Sequence, residues 1–166
     1  MITKLADIKS LIASGRMKSA SVLAELRLLA ASDEWQTREV AATALVAIGK
    51  KHPAVIVKQA RRWAVDQDPN IRRAASEGLR GIVKSDPESV WPVLERLHRD
   101  PSLYVKRSVA NVLRNASGKH PDRVLALCRR WVAANDPNTR WIVKDGLRKL
   151  RATRARDVEV LLANAV

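Results

Sequence analysis

The chain superimposes on itself when shifted by 34 residues. From Arg38 the shift reaches Arg72, Lys106 and Arg140; it also joins Leu45, Leu79, Leu113 and Leu147, then Ala41, Ala75, Val109 and Val143, then Ile48, Ile82, Ala116 and Leu150, and the prolines Pro53, Pro87 and Pro121. A period of this length marks stacked copies of one supersecondary unit that cannot bury its apolar face alone, so the chain is expected to form a solenoid that works along a surface. Within each period two apolar runs at helical spacing flank a short turn, which defines a helical hairpin. In the second copy Pro53 opens a helix carrying Val57, Ala60 and Ala64, the turn reads DQDPN, and the next helix carries Ile71, Ala75, Leu79 and Ile82. The turns RDPSL and NDPNT repeat the plan, because proline presets φ at a helix start and Asp or Asn accepts free backbone N–H groups. The predicted architecture is all-α: one domain over 1–166, wound as a right-handed superhelix of about four hairpins at 17–49, 53–84, 87–117 and 121–151. A capping helix within 1–15, stopped at Gly15, and a trailing helix over 155–166 close its ends.

With 46% hydrophobic residues in 166, the chain has material for a sizeable core. No apolar run approaches the roughly 18 residues of a membrane span, and the opening MITKLADIKSLIAS alternates charges with aliphatics, unlike a signal peptide. A soluble, cytoplasmic, monomeric protein is expected. Cys128 aligns by period with Ala60 and Leu94 and reads as a buried, inert thiol. The histidines His52, His98 and His120 sit in separate loops or helix ends without a cysteine cluster, so neither a metal nor another cofactor is expected. Charge is the second constraint: 31 Lys plus Arg against 17 Asp plus Glu, a net +14. Such an imbalance repels itself and suits a polyanionic partner; without a Trp/Leu-rich face opposite a Lys-rich one, nucleic acid precedes a membrane surface.

The turn Asp, an aliphatic and then Arg, as in Asp68, Ile71 and Arg72, is similar to the signature of HEAT-type helical repeats. In that family the Arg ladder bonds neighbouring repeats through turn carboxylates, so Arg38, Arg72, Lys106 and Arg140 are assigned to structure. The second helix of each copy carries a further stripe that the core does not need, through 73, 77, 80 and 84. Shifted by 34 it aligns Arg80, Arg114 and Arg148, then Arg73 with Arg107 and Trp141, and Glu77 with Asn111 and Asp145. Stacked helices would hold those guanidiniums about 10 Å apart, a spacing able to follow a phosphate backbone. Lys84, Lys144 and Arg151 lie on or beside the row. Duplex DNA is therefore the expected partner, contacted by Arg73, Arg80, Lys84, Arg107, Asn111, Arg114, Lys144, Arg148 and Arg151. Two carboxylates interrupt the band: Glu77 between Arg73 and Arg80, and Asp145 between Trp141 and Arg148. They read either as intrahelical ion pairs or as anions that stabilise an oxocarbenium-like transition state, with Trp141 offering an indole face to a cationic base. Trp63 and Trp131, with Leu97 between them in the register, are assigned to the core; Trp35 and Trp91 are unassigned.

Three segments in order resemble the alkylpurine DNA glycosylases of the AlkC/AlkD type, closest to the AlkC branch: IRRAASEGLR at 71–80, DPSLYVKRSVANVLRNASGKHPDRVL at 100–125 and WIVKDGLRKL at 141–150. The resemblance covers about half of the chain. It implies DNA repair on a concave HEAT-like surface, with hydrolysis of the bond to an N3- or N7-alkylated purine. Glu77 falls on the acidic position of that branch's Ser-Glu-Gly segment and is the first catalytic candidate, with Trp141 and Asp145 next. The chain departs from the branch after SEGLR, where it reads GIVKSDPESV, and at Asp145, which stands where the branch has His. A noncatalytic relative that recognises damaged or branched DNA, and a HEAT-type protein-interaction scaffold, are the alternative readings.

Overall fold

Proline and aspartate start the helices where the periodicity places them. The computed structural model describes Asp7, Ser10 and residues 20–163. Its helices are α1 (Ala20–Ala30), α2 (Trp35–Lys51), α3 (Pro53–Trp63), α4 (Pro69–Leu79), α5 (Pro87–Leu97), α6 (Leu103–Ser117), α7 (Pro121–Val132), α8 (Pro137–Gly146) and α9 (Ala155–Ala163), with a 3-10 turn over Leu150–Ala152 before the last. No strand occurs among the described residues. Apart from Asp7 and Ser10, the expected capping helix within 1–15 lies outside them.

Pro53, Pro69, Pro87, Pro121 and Pro137 each occupy the first turn, where a missing N–H costs nothing. Asp68 caps α4 through the Asn70 N–H at 2.8 Å, Asp86 caps α5 through Ser89, and Asp136 caps α8 through Thr139 at 2.8 Å. The Thr139 N–H, opposed by burial and reinforced by the Thr139 hydroxyl and the Arg99 charge, holds the Asp136 carboxyl below its ordinary 3.8. Because the folded value is depressed, this stabilisation is fully present above pH 3.8 and is lost as pH falls through the lowered value. Asp136→Ala is therefore expected to cost about 1 kcal/mol at neutral pH. Urea unfolding should show the gap between parent and variant closing in strongly acidic solution.

The helices form two layers. The first helices of the hairpins (α1, α3, α5, α7), with α9, make one wall; the second helices (α2, α4, α6, α8) make the other and pack on one another far more closely. Unequal spacing bends the stack toward the tighter layer, so the second helices line the inner wall. Between the layers runs one continuous apolar core. All four members of the leucine row, of the Ala/Val row and of the Ile/Ala/Leu row are at most 3% exposed. Trp63, Leu97 and Trp131 are buried as well, and burial pushes the Cys128 thiol up to about 12.

Three members of the 34-residue cation row hold turns or repeats together, while Arg140 makes no side-chain hydrogen bond among the described residues and buries its Nε without a partner. Arg38 donates to the carbonyls of Ser32 and Asp33 at 2.7 and 2.8 Å. Arg72 donates to the carbonyls of Asp66 and Gln67 and reaches the next repeat, giving Nε to Asp100 Oδ2 at 2.6 Å and Nη2 to Oδ1 at 3.2 Å. Lys106 has no fork to offer and bonds Asn138 Oδ1 at 3.0 Å instead.

Two helices end earlier than the period suggests. α4 stops at Leu79 and α8 at Gly146, and each is followed by tight i→i−3 turns: Arg80 N to Glu77 O and Ile82 N to Leu79 O, Arg148 N to Asp145 O and Leu150 N to Leu147 O. The chain packs closely on its neighbours at both places. A Cβ on Gly81 would lie 2.8 Å from the Val46 carbonyl oxygen, and one on Gly146 would lie 2.7 Å from Leu113 Cδ1. The third copy has Val112 and Asn115 where the second has Gly78 and Gly81, and α6 runs on to Ser117.

Candidate nucleic-acid interface

The inner wall carries an open trough of ≈ 330 Å³ spanning three repeats. α2 supplies Trp35, Arg38 and Glu39, α4 supplies Arg73 and Glu77, and α6 supplies Tyr104, Arg107, Ser108, Asn111 and Arg114. Five of the residues expected at the site thus meet here: Arg73, Glu77, Arg107, Asn111 and Arg114. Trp35 and Tyr104, 63% and 55% exposed, present aromatic rings to its surface.

Arginines engage the carboxylates of this wall. Glu77 is buried, with Oε2 2.9 Å from Arg80 Nε and Oε1 3.8 Å from Arg73 Nε, so the intrahelical pairing expected from its spacing is present. Arg73 also pairs with Glu39 of the preceding repeat. Asp145 is held mainly across a repeat boundary: Arg114 Nη1 donates to Oδ2 at 2.5 Å and to the Asp145 carbonyl at 3.2 Å, whereas Arg148 in its own repeat stands 3.7 Å away. Arg107 is exposed and has no ion pair among the described residues. Ser108 accepts or donates a 2.6 Å hydrogen bond with Ser76, which fixes α4 against α6 beneath the trough.

The other expected residues lie elsewhere. Arg80, beyond the last regular turn of α4, lines a separate groove with Thr43, Val46, Ala47, Lys50 and Lys51 of α2. Lys84, Lys144 and Arg148 are exposed and do not line the trough, while Arg151 lines a groove against α9 with Val158 and Leu162. Arg80 and Arg148 thus sit on tight turns just beyond α4 and α8, whereas Arg114 lies within α6. Trp141 also departs from expectation. It is half-buried against the core, with Lys106 Nζ 5.7 Å from its ring centroid, and is not part of the trough.

Trp35, Glu39 and Tyr104 were not singled out by the sequence. Glu39 was recoverable, since 34 residues separate it from Arg73. Trp35 and Tyr104 break their register rows (Trp35, Pro69, Leu103, Pro137 and Gln36, Asn70, Tyr104, Asn138), and only the fold brings them to one surface. Among the described residues no three His, Cys, Asp or Glu side chains gather to hold a metal, and no helix is long and apolar enough to cross a membrane.

Two-layer helical hairpins repeating every 34 residues, with a cationic trough along the inner layer, define a HEAT-repeat protein. The HEAT-repeat family pattern, described as "HEAT repeats", matches residues 23–114, over half of the chain, and the chain belongs to that family. Among solved structures it is similar to the alkylpurine DNA glycosylase AlkC of Pseudomonas fluorescens, determined bound to DNA containing an abasic site analog. The TM-score is 0.65 and the identity 28%, over 82% of this chain and 44% of that one. The chain spans less than half the length of that protein. No curated protein matches it.

Proposed function

We propose that this chain, acting as a monomeric single domain over 1–166 in the cytoplasm, binds duplex DNA along its inner wall and removes N3- or N7-alkylated purines. The observation that carries the reading is the trough, where four arginines, Arg107 among them exposed, and two aromatic rings share a lining with a buried carboxylate, Glu77. The DNA-bound AlkC neighbour supports the same use of the fold. In this reading Arg107 and Arg114 hold phosphates, and Trp35 and Tyr104 pack against sugar or base faces. An alkylated purine is cationic and already a good leaving group. The bond from its nitrogen to C1′ breaks with the electron pair going to the base, the sugar becomes oxocarbenium-like, and water adds to C1′ and loses its proton to solvent or to Glu77. Glu77 stabilises the developing sugar cation and orients the water.

A second reading, a binding-only relative, is favoured by one observation: both oxygens of Glu77 already face arginines, at 2.9 and 3.8 Å. Base release from methylated duplex by the purified parent separates the two, since the enzyme releases free alkylpurine and the binder does not. Binding itself is tested by salt. With four to six phosphate contacts, affinity should fall roughly 10²–10³-fold between 50 and 200 mM salt. The double substitution Arg107→Glu with Arg114→Glu should weaken binding at least about tenfold and lower the slope of log affinity against log salt by about one per lost contact. A double variant that titrates like the parent in fluorescence anisotropy would remove the trough from the interface.

A further inference from the structure

The inner wall is not the only basic face of this protein. Its carboxylates Glu39, Glu77 and Asp145 each face an arginine, as Glu88, Glu95 and Asp122 do on the outer helices, and cations remain over on both walls. Lys58, Arg61 and Arg62 on α3, Arg96 on α5, Arg99 just beyond it and Arg129 on α7 are all exposed and make no ion pair among the described residues. The 34-residue shift that aligns the core also aligns Arg62, Arg96 and Arg130, and Arg130 stays largely exposed although it bonds Glu95. Since α3, α5 and α7 follow one another along the outer wall, the last two tied by Arg123–Glu88 and Arg130–Glu95, these cations form a band along the convex side.

Arginines in a last helical turn also complement the helix dipole, and that role explains one or two per helix. It does not explain why Lys58, in the middle of α3, adds to the same band, or why α3 carries three cations and no carboxylate. The large exposed aromatics, Trp35 and Tyr104, belong to the trough. The outer band thus offers cations without the stacking platforms that single strands use, and without the aromatic anchors of a membrane-surface helix. We infer that this outer wall is a second polyanion site whose occupant is another segment of duplex DNA, so that one protein molecule bridges two duplexes. A straight rod touches a convex wall over a short line, so the second site is the weaker and more easily salted out.

The bridging claim rests on the proposed inner-wall reading, and the test separates the two. Short duplexes carrying a donor or an acceptor fluorophore are mixed with the parent at low salt, and complexes are sized by sedimentation velocity. Two duplexes per protein monomer and energy transfer between them are expected. Arg62→Glu with Arg96→Glu and Arg129→Glu should weaken the second binding event at least tenfold and abolish transfer, while the first duplex binds within threefold of the parent. The corresponding Gln variant, with thermal melting as a folding control, should also abolish transfer; transfer retained by the Gln protein would assign the loss to the introduced acid and overturn the proposal. Saturation at one duplex per protein, bridging by protein dimers only, transfer that survives the outer substitutions, or displacement of the second duplex by single-stranded RNA at lower concentration than by duplex would each overturn the proposal. Loss of the first duplex in the Arg107→Glu, Arg114→Glu protein concerns the inner wall alone.

Discussion

Asp100→Ala is expected to destabilise the protein by about 3–5 kcal/mol, the typical loss when one member of a buried ion pair is removed. The Asp100 side chain is 6% exposed and that of Arg72 17%, and the pair is a two-pronged bond across a repeat boundary. The carboxylate raises the Arg72 guanidinium above its ordinary value through these bonds, against the opposing effect of burial. It also accepts the Ser102 N–H at 2.9 Å at the start of α6. Truncation therefore strands a half-buried cation and an orphaned helix-start donor together. Asp100→Asn keeps an acceptor for Ser102 and should cost less, and Arg72→Met combined with Asp100→Leu should cost less than Asp100→Ala alone, because no charge is left unpaired. Urea unfolding followed by circular dichroism reads all three. A cost below about 1 kcal/mol for Asp100→Ala would place this bond among exposed ion pairs, with no architectural role.

Glu77→Gln carries the second large effect. If base release proceeds as proposed, the substitution should slow single-turnover release by roughly 10²–10³-fold, the loss typical for an electrostatic stabiliser of a transition state. Duplex affinity should hold or tighten, because Arg73 and Arg80 lose the anion they now face and the trough becomes more positive. Slower chemistry with equal or better binding is a signature that general unfolding cannot produce. Release at the parental rate by the Gln protein would move the chemistry off Glu77. Asp145→Asn is the companion test, with a smaller expected change because Arg114 also reaches the Asp145 carbonyl.

Much of the fold is legible in one arithmetic step, because a residue that must be buried in one copy must be buried in the next. The leucine row at 45, 79, 113 and 147 illustrates this, as do the Trp63, Leu97 and Trp131 positions. Helix starts are equally readable, since Pro and Asp act locally. Helix ends are not: nothing in the period marks that the second and fourth copies stop at Leu79 and Gly146, and so Arg80 and Arg148 sit on tight turns while Arg114 lies within α6. The site was legible in part for the same reason. Glu77, Arg73, Arg107, Asn111 and Arg114 follow from a common register on regular helices, whereas Trp35 and Tyr104 reach the trough from helix starts outside it. Cross-repeat pairs such as Arg114 with Asp145 connect residues 31 apart, a separation that neither helical spacing nor the 34-residue shift isolates.

The seams between hairpins are unequal in kind. The second and third repeats are joined by the buried Arg72–Asp100 fork and the Ser76–Ser108 bond, and the third and fourth by Lys106–Asn138, Thr139 to the His98 carbonyl, Arg114–Asp145, Arg123–Glu88 and Arg130–Glu95, while the first and second share the Arg27–Asp66 and Arg73–Glu39 pairs. A linear array with its lightest seam at one end unzips from that end. Amide protons of α6 should then be among the last to exchange with deuterated solvent, and a molecule whose first hairpin has opened would still keep Glu77 and Arg107 side by side.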